Sequence, residues 1–421
     1  MIQSSNTFRE LADETHRQLS NLIEATPLQF NQYLSDLHGA NIWLKREDLS
    51  AVRSYKLRGA YAFFNQALIA GNNEEFVCAS AGNHAQGFAH ACRHFDKRGW
   101  VFMPVTTPAQ KIQKTRSFGG NQVDIQLVGD TFDECNLEAR KFCEQRGAML
   151  VPPFDHQQVI LGQASVAAEI ISQIPDDVKI DRLILPVGGG GLAAGATAYL
   201  NEQLSKEAFI FVEPDGAPSF KQSLVIGERV VLSDMDSFVD GAAVGQIGKQ
   251  TFAYLDHFNA DQVVLAPTDG LCETMIEMLN IEGVVLEPAG ALSIDALKRL
   301  PGNVVTGANI VCVVSGGNFD FERLPEVKER ALKFAGLKKY FILQMPQRPG
   351  ALKDFLLMLG PDDDIARFEY LKKSARNFGS VLIGIETRAP ENFKILTQKL
   401  EEAGLRFQDI TENEIVANLV V

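Results

Sequence analysis

The sequence predicts an α/β protein with open parallel sheets, followed by a small C-terminal domain of the ferredoxin-like type. Two observations lead to this fold class. From residue 40 to about residue 320, short apolar runs rich in valine and isoleucine alternate with longer helical segments. Such alternation is typical of α/β architectures, in which parallel strands are buried on both faces. After residue 320 the glycine-rich strand ends disappear and a more charged pattern begins.

Six apolar runs are predicted to form the buried parallel strands. In chain order they read “EFVCAS”, “GWVFMPV”, “QVDIQLV”, “RLILPV”, “AFIFVEP” and “NIVCVVSGG”. The helical segments between them include “AQGFAHACRHF”, “TFDECNLEARKFCEQRG” and “VAAEIISQI”. Ligands of open α/β sheets bind at the carboxyl ends of the strands, so the turns that follow these runs are the first candidates for a functional site.

The C-terminal segment opens with a charged helical stretch, “RLPEVKERALKFAGLKK”, which we interpret as a connector. The elements that follow are ordered strand, helix, strand, strand, helix, strand, which is the ferredoxin-like pattern. The turn signals “RPG” and “RAPEN” fall where its helices should begin. We therefore expect a first domain at residues 1–325, a connector at 326–338 and a second domain at 339–421.

The composition excludes several classes of protein. With 421 residues, the chain is long enough for more than one hydrophobic core. Its formal net charge of −13 argues against general binding of nucleic acid or of anionic membrane surfaces. No stretch approaches the ~18 consecutive apolar residues of a membrane-spanning helix, so none is predicted.

The N-terminus and the cysteines indicate a cytoplasmic protein. The opening segment, “MIQSSNTFRELADETHRQ”, has no apolar stretch and carries acidic residues, unlike a secretory signal. The six cysteines are scattered and form no C-x-x-C pair, so reduced thiols are expected. His90 and His94 stand one helical turn apart, but “HACRH” lacks the carboxylates of a zinc motif, and we predict no metal there.

Three glycine-rich turns follow predicted strands and share one design. They read “CASAGNHAQG”, “LPVGGGGLAAGA” and “CVVSGGNF”. The four consecutive glycines from Gly188 to Gly191 are costly in backbone entropy, which disfavours a simple linker between a strand and a helix. Unhindered amides at a helix N-terminus offer hydrogen-bond donors and the positive end of the helix dipole to a phosphate. We therefore expect this loop to bind a phosphate group.

The phosphate could belong to a dinucleotide. Gly188, Gly190 and Ala193 fit the pattern G-x-G-x-x-A after a strand, and Glu213 ends the next strand about twenty residues later. A nicotinamide-dependent dehydrogenase is thus an alternative at this point. This alternative leaves the other two glycine-rich turns and the segment “SYKLRGA” unexplained.

The same features suit pyridoxal phosphate, which needs an anion site, a Schiff-base amine and polar partners for its ring. “SYKLRGA”, “SAGNHAQG”, “GGGGL” and “SGGN” resemble the lysine motif, asparagine loop, phosphate loop and ring-nitrogen turn of the serine/threonine dehydratases. These belong to the second fold type of pyridoxal-phosphate enzymes, similar to tryptophan synthase β. The resemblance covers roughly residues 20 to 320 and implies two lobes, the smaller at roughly 53–155. Related synthases tend to carry “KDR” after the lysine, which this chain lacks.

The resemblance implies a role for each motif residue toward the cofactor. Lys56 would form the Schiff base and later remove the α-proton of the substrate. Asn83 would hydrogen-bond the ring oxygen, and Ser315 would face the ring nitrogen. The backbone amides that would hold the phosphate are those of Gly188, Gly189, Gly190, Gly191 and Leu192.

The resemblance also implies a substrate and a reaction. L-threonine, and L-serine more slowly, would first lose water to give an enamine. Hydrolysis of that enamine, which from threonine is 2-aminocrotonate, would then release ammonia and, from threonine, 2-oxobutanoate. The turn that would bind the substrate carboxylate comprises Ser80, Ala81, Gly82, Asn83 and His84. For His84, a purely structural hydrogen bond explains the residue equally well.

Two further segments resemble segments of related enzymes. “EPAGA”, from Glu287, is similar to a turn near the cofactor ring, although a plain helix N-terminal charge also explains that glutamate. “EPDGAPS” lies where serine racemase-like relatives bind a divalent cation. Because Ser219 stands where those relatives often have an aspartate, no metal is predicted.

The C-terminal segment resembles the ACT-like regulatory domain of biosynthetic threonine deaminases, in a short form with one such unit. That resemblance implies feedback regulation, with isoleucine as the effector and valine as a further candidate. A domain kept only for contacts between subunits is the alternative. A homotetramer or homodimer is expected on the same ground.

Overall fold

The computed structural model describes residues 7–71, 75–371 and 378–413. The chain divides into two compact units, separated between Asp320 and Phe321. We call them the N-terminal unit and the C-terminal unit. The division falls slightly before the boundary expected from the sequence, and the helix of the expected connector lies within the C-terminal unit.

The N-terminal unit alternates strands and helices along most of its length. Its strands are β1 (Leu28–Phe30), β2 (Asn41–Arg46), β3 (Phe76–Ala79), β4 (Gly99–Met103), β5 (Val123–Leu127), β6 (Met149–Leu150), β7 (Arg182–Pro186), β8 (Phe209–Pro214), β9 (Val263–Ala266) and β10 (Asn309–Val314). Its helices are α1 (Phe8–Leu19), α2 (Gln32–His38), α3 (Lys56–Ile69), α4 (Asn83–His94), α5 (Ala109–Gly119), α6 (Phe132–Arg146), α7 (Gln157–Gln173), α8 (Gly191–Leu200), α9 (Ser219–Ile226), α10 (Lys249–Leu255), α11 (Thr268–Glu282), α12 (Pro288–Asp295) and α13 (Gly302–Val305).

The strands of the N-terminal unit form two sheets. The larger has the order β1-β2-β10-β7-β8-β9, and the smaller has the order β5-β4-β3-β6. Every neighbouring pair is parallel except β1 and β2. The prediction of open parallel sheets is confirmed, and each of the six predicted strands is present. In these sheets the three glycine-rich turns follow the carboxyl ends of β3, β7 and β10.

Each sheet has its own hydrophobic core. In the larger sheet, the fully buried side chains of Leu185, Phe211 and Val313 belong to a core that also includes residues of α7 and α8. In the smaller sheet, Phe76 of β3 stacks on Phe64 of α3 with ring centres 4.1 Å apart. Truncating such a phenylalanine to alanine typically costs about 3–5 kcal/mol, so each lobe has a core that can hold its strand ends in place.

The C-terminal unit confirms the predicted ferredoxin-like order. Its elements are α14 (Leu324–Phe334), β11 (Lys338–Pro346), α15 (Ala351–Leu356), β12 (Asp364–Leu371), β13 (Phe378–Glu386), α16 (Glu391–Glu402) and β14 (Arg406–Asp409). The sheet is antiparallel with the order β12-β13-β11-β14. Phe341, Phe355, Ile383 and Leu396 are among the buried side chains of its core. Helix α15 is shorter than the run “GALKDFLLMLG” predicted.

Within the described ranges, no helix combines the length and the apolar character needed to span a membrane. All six cysteines lie in those ranges and are free thiols.

Candidate active site

Lys56 is the first residue of α3, and its turn is joined to the end of β10. The amide of Tyr55 donates a hydrogen bond to the carbonyl oxygen of Ser315 at 3.2 Å, and Ser54 and Gly316 form an antiparallel bridge. Because β10 is an inner strand of the larger sheet, these bonds place the lysine at the carboxyl edge of that sheet. The lysine motif and the third glycine-rich turn therefore meet.

The amino group of Lys56 lies in a partly buried position. Its Nζ donates to the carbonyl oxygen of Pro153 at 3.0 Å and lies 5.8 Å from the centre of the Phe154 ring. Burial lowers the pKa of this amine to about 8, although the charge of Glu287 acts in the opposite direction. A lysine with such a pKa is partly neutral near physiological pH, which a nucleophile or a base requires.

The glycine loop after β7 admits no side chain at several of its positions. A Cβ on Gly189 would lie 2.2 Å from a ring carbon of Phe154, and one on Gly188 would lie 2.8 Å from the carbonyl oxygen of Ala242. Gly190 has a φ of +86°, which other residues rarely adopt. Because Phe154 contacts the loop and also lies near the amino group of the lysine, it links these two parts of the site.

The loop presents the N-terminus of α8. Gly191 and Leu192 open this helix, and the first amides of a helix have no intrahelical acceptor. The Leu192 side chain is buried in the core of the larger lobe, so only its backbone amide is available to a ligand. Thr251 braces the loop because its Oγ1 donates to the carbonyl oxygen of Gly189 at 2.7 Å. The loop is thus a rigid set of donors of the kind that holds a phosphate.

The turn after β3 leads into α4, whose first residue is Asn83. The amide of Gly82 donates to the hydroxyl oxygen of Ser80 at 3.2 Å, which closes the turn. The amides of Asn83 and His84 belong to the first turn of α4, where no intrahelical acceptor exists. This turn can therefore offer amides to an anion such as a carboxylate.

His84 forms a structural hydrogen bond. Its Nε2 donates to the carbonyl oxygen of Val151 at 2.9 Å, and the side chain is buried. Burial and the nearby charge of Lys56 lower the pKa of His84 to about 3, so the imidazole is neutral. Helix α4 also packs tightly on the lysine, since a Cβ on Gly87 would lie 3.1 Å from the carbonyl carbon of Lys56.

Asn83 lies between two polar side chains. Its Nδ2 donates to Oε1 of Glu287 at 2.6 Å, and its Oδ1 accepts from Nδ2 of Asn318 at 2.8 Å. Glu287 precedes α12 and is only 5% exposed. Burial and the charge of Asp240 raise the pKa of Glu287 to about 8. The glutamate of “EPAGA” thus lies beside the asparagine loop, rather than at an isolated helix end.

Ser315 is the residue that follows β10, and it is buried. Its hydroxyl donates to the carbonyl oxygen of Ala289 in the first turn of α12, at 3.1 Å. Its own carbonyl oxygen accepts the bond from the turn that carries Lys56. Ser315 therefore connects α12 with the lysine turn.

Glu213 does not support the dinucleotide alternative. Its side chain is fully buried, and its two oxygens accept the amides of Phe220 and Lys221, each at 2.8 Å. The carboxylate therefore caps the first turn of α9 by accepting hydrogen bonds from its free backbone amides. A ribose hydroxyl would need that carboxylate at an accessible strand end.

Sequence reasoning did not single out the charged cluster behind the lysine. Arg58 is 2% exposed and donates to both Glu47 and Glu169, while Nζ of Lys45 donates to Glu169 at 2.5 Å. Two cations and two anions are thus paired out of contact with water. The available signal was the position of Glu169 within the otherwise apolar segment “VAAEIISQI”. Asn318 and Phe154 were likewise not singled out.

The residues at this edge of the sheet fit pyridoxal phosphate. Lys56 supplies an amine whose pKa is lowered by burial. The loop from Gly188 to Gly191 supplies a cradle in which side chains would collide with their neighbours. Asn83 and Ser315 supply polar groups beside them. An aldehyde, a phosphate and a polar ring find matching partners in this set.

Comparisons with known proteins agree with pyridoxal phosphate as the cofactor. Residues 19–316 match the family model described as “Pyridoxal-phosphate dependent enzyme”. Residues 329–420 match the model described as “C-terminal regulatory domain of Threonine dehydratase”. The biosynthetic L-threonine dehydratase IlvA of Bacillus subtilis is 43% identical over 409 residues, which cover 97% of this chain and 96% of that protein. The IlvA protein of Halalkalibacterium halodurans is 42% identical over 404 residues, 96% of each chain.

A solved structure is also similar. The processed form of threonine deaminase isoform 2 from Solanum lycopersicum superposes with a TM-score of 0.71 at 35% identity, covering 78% of this chain and 94% of that one. The family models cover both units in the same order as the domains expected from the sequence. The chain therefore belongs to the pyridoxal-phosphate dependent enzymes and, among them, to the family of biosynthetic L-threonine dehydratases.

Proposed function

We propose that this protein converts L-threonine to 2-oxobutanoate and ammonia, and that it acts more slowly on L-serine. The observation that carries the proposal is the identity of 43% with a biosynthetic L-threonine dehydratase across nearly the whole of both chains. The site supports it, because Lys56, the glycine loop and the Asn83 turn lie together. When bound, pyridoxal phosphate supplies an electron sink for the charge left on the substrate when its α-proton is removed.

Three side chains and five backbone amides of this chain would hold the cofactor. Lys56 would bond to it through Nζ, and Asn83 and Ser315 would hydrogen-bond the polar atoms of its ring. The amides from Gly188 to Gly191, together with that of Leu192, would bind its phosphate. Because Ser315 is neutral, it would not enforce a protonated ring nitrogen as an aspartate would. This arrangement favours elimination over transamination.

Lys56 would also move the proton. Once its amine is free, Nζ can accept the α-proton of threonine, since its pKa of about 8 leaves a neutral fraction at physiological pH. The β-hydroxyl takes up one proton, which balances the α-proton taken by Nζ, and leaves as water. The electron pair of the former Cα–H bond then forms the double bond between Cα and Cβ. The released enamine tautomerises, and one water molecule hydrolyses it to 2-oxobutanoate and ammonia. One water is thus lost and one is consumed.

The turn from Ser80 to His84 would orient the substrate. Its amides would bind the carboxylate of threonine, which fixes the direction of the Cα–H bond relative to the base. The side chain of His84 would act only through its hydrogen bond to Val151, because its imidazole is buried and neutral. Discrimination between threonine and serine depends on one methyl group, worth about 1–3 kcal/mol in a pocket. Measurable turnover of serine is therefore expected.

The C-terminal unit would make the enzyme responsive to its pathway. We propose that it binds isoleucine, with valine as a second effector, and that isoleucine lowers the rate of threonine turnover. The match of residues 329–420 to a regulatory domain supports this role. The enzyme would then catalyse the first step of isoleucine biosynthesis, in the cytoplasm, as a homotetramer or homodimer.

Turnover of threonine by the purified protein with added pyridoxal phosphate tests the proposal. We expect release of 2-oxobutanoate from L-threonine, a lower rate with L-serine, and inhibition when isoleucine is added. Lys56→Ala should abolish turnover, whereas Lys249→Ala should not, since Lys249 is the exposed first residue of another helix, α10. Absence of turnover in the parent protein, or full activity of the Lys56→Ala variant, would refute the proposed function.

A further inference from the structure

Three side chains form a chain of hydrogen bonds that begins at a backbone carbonyl. Nδ2 of Asn318 donates to the carbonyl oxygen of Val52 and to Oδ1 of Asn83, both at 2.8 Å. Nδ2 of Asn83 in turn donates to Oε1 of Glu287 at 2.6 Å. The chain therefore crosses the site from the lysine turn to the start of α12.

The backbone carbonyl of Val52 determines which group donates and which accepts in every hydrogen bond of this series. A carbonyl oxygen can only accept, so Asn318 must turn its NH₂ group toward Val52. The second hydrogen of that NH₂ group then points at Asn83, so the side-chain oxygen of Asn83 must accept it. The NH₂ group of Asn83 is thereby directed to Glu287. Neither amide can be reversed without setting two donors or two acceptors against each other.

Glu287 is suited to end the chain. A carboxyl group accepts a hydrogen bond through its carbonyl oxygen whether or not it is ionised. Its position is tightly confined, since a Cβ on Gly316 would lie 1.9 Å from Oε1. The raised pKa of Glu287 agrees with a neutral carboxyl group near pH 7. A glutamine should therefore replace it with little change to Asn83.

We propose that Asn318 and Glu287 are positioning residues that orient the Asn83 amide so that its NH₂ group, and not its oxygen, faces the ring oxygen of the cofactor. This inference rests on the proposed function, in which Asn83 hydrogen-bonds the ring oxygen. One hydrogen of that NH₂ group is used by Glu287, and the second is left to donate. A donor stabilises an anionic ring oxygen, whereas a reversed amide would oppose it.

Two variants break the chain at its two ends. Asn318→Asp places an acceptor against the carbonyl oxygen of Val52 and against Oδ1 of Asn83, so the Asn83 amide must reverse. Glu287→Leu removes the acceptor at the other end. Each change leaves Asn83 itself in place.

Each variant has a matched control. Glu287→Gln keeps an acceptor for Asn83 and should rescue the defect of Glu287→Leu. Asn309→Asp makes the same chemical change as Asn318→Asp, because Nδ2 of Asn309 donates to the carbonyl oxygen of Lys179 at 2.9 Å. Asn309 is the first residue of β10, at the end of the strand that lies away from the site.

The measurements are the dissociation constant of pyridoxal phosphate and the absorption spectrum of the bound cofactor. We expect Asn318→Asp and Glu287→Leu to weaken binding about three- to tenfold, the equivalent of one hydrogen bond. We also expect absorption to move from the visible band to the near-ultraviolet band as the ring oxygen loses its donor. A purely structural role would lower the amount of folded protein without moving the spectrum.

The controls decide between the outcomes. Parent-like spectra for Glu287→Gln and Asn309→Asp, beside altered spectra for the two test variants, support the inference. An unaltered spectrum and affinity in Asn318→Asp would overturn it, as would a Glu287→Gln variant as defective as Glu287→Leu. A parent protein that binds the cofactor but does not turn over threonine would refute the proposed function. The spectra would still decide the role of the two positioning residues.

Discussion

The guanidinium group of Arg58 forms two parallel hydrogen bonds with the carboxylate of Glu169, each 2.7 Å long. Arg58 also forms a second pair of bonds with Glu47, each 2.8 Å long. All three side chains are buried. Since Arg58 lies two residues after Lys56, the cluster ties the first turn of α3 to α7. A buried ion pair is costly to break, because the remaining charge loses both its partner and water.

Replacing Arg58 should therefore destabilise the N-terminal unit strongly. We expect Arg58→Leu to lower the free energy of unfolding by about 3–5 kcal/mol, since two carboxylates remain buried without their main partner. Urea unfolding followed by tryptophan fluorescence measures this loss. The only tryptophans of the chain, Trp43 and Trp100, lie in the N-terminal unit, so the signal reports on that unit alone.

Arg17 provides a matched control for the Arg58 variant. Arg17 pairs with Glu14 on the surface of α1, and its side chain is 72% exposed. Exposed ion pairs contribute about 0–1 kcal/mol. Arg17→Leu should therefore leave the unfolding curve nearly unchanged. Equal losses in the two variants would contradict the role assigned to the buried cluster.

The lowered pKa of Lys56 should appear in the rate at which the apoprotein takes up pyridoxal phosphate. Only the neutral amine attacks the aldehyde, so the rate should rise with pH up to about 8, the pKa of Lys56, and level off above it. Stopped-flow absorbance over a series of pH values measures this dependence. The side chain of N-acetyl-lysine, with a pKa of about 10.4, is the reference. A rate for the protein that climbs in parallel with the reference would contradict the prediction.

His84 should make stability depend on pH in the acidic range. Its pKa is about 3 in the folded protein and 6.5 as its ordinary value, so below pH 6.5 the unfolded chain takes up a proton that the folded chain does not. The stabilisation is complete above pH 6.5 and is lost as the pH falls toward 3.

The comparison of the parent with His84→Gln isolates this effect. The difference between their free energies of unfolding should be constant above pH 7. It should fall by about 1.4 kcal/mol per pH unit well below pH 6.5. Tryptophan fluorescence in urea between pH 4.5 and 8 provides both curves. A difference that does not vary with pH would mean that His84 titrates normally in the folded protein.

The strands, and the fact that the lysine motif and the glycine-rich turns lie at one site, were predictable for a simple physical reason. Parallel strands buried on both faces leave long apolar runs in the sequence, and their carboxyl ends share one edge of a sheet. Lys56, the glycine loop and Ser315 could therefore be expected at one site. Strand β2 was not among the predicted runs. It contains Lys45, which can be fully buried because Glu169, Gln173 and the carbonyl oxygen of Thr26 accept its hydrogens.

The contacts of the site's polar side chains were less predictable. Asn318 and Asn83 are separated by 235 positions, and Arg58 and Glu169 by 111. A local sequence pattern cannot predict a contact between residues so far apart in the sequence. The contact depends on how the two lobes of the N-terminal unit pack together. Asn318 did lie in the motif “SGGN”, yet the sequence alone does not show that its amide points at Asn83.

Gly190 and Gly227 allow the phosphate loop to be tested with a matched pair of substitutions. Both glycines have left-handed φ angles, +86° and +85°, so alanine at either position adds a strain of about 1–2 kcal/mol. A Cβ on Gly190 would also lie 3.0 Å from Oγ1 of Thr251, the group that holds the carbonyl oxygen of Gly189, whereas no described atom lies within 4 Å of a Cβ on Gly227. We expect Gly190→Ala to raise the dissociation constant of pyridoxal phosphate about tenfold or more, equal to at least about 1.4 kcal/mol, because the shifted loop misdirects its amides. Gly227→Ala should lower the melting temperature without changing that constant, and equal affinities in the two variants would show that the loop does not bind the phosphate.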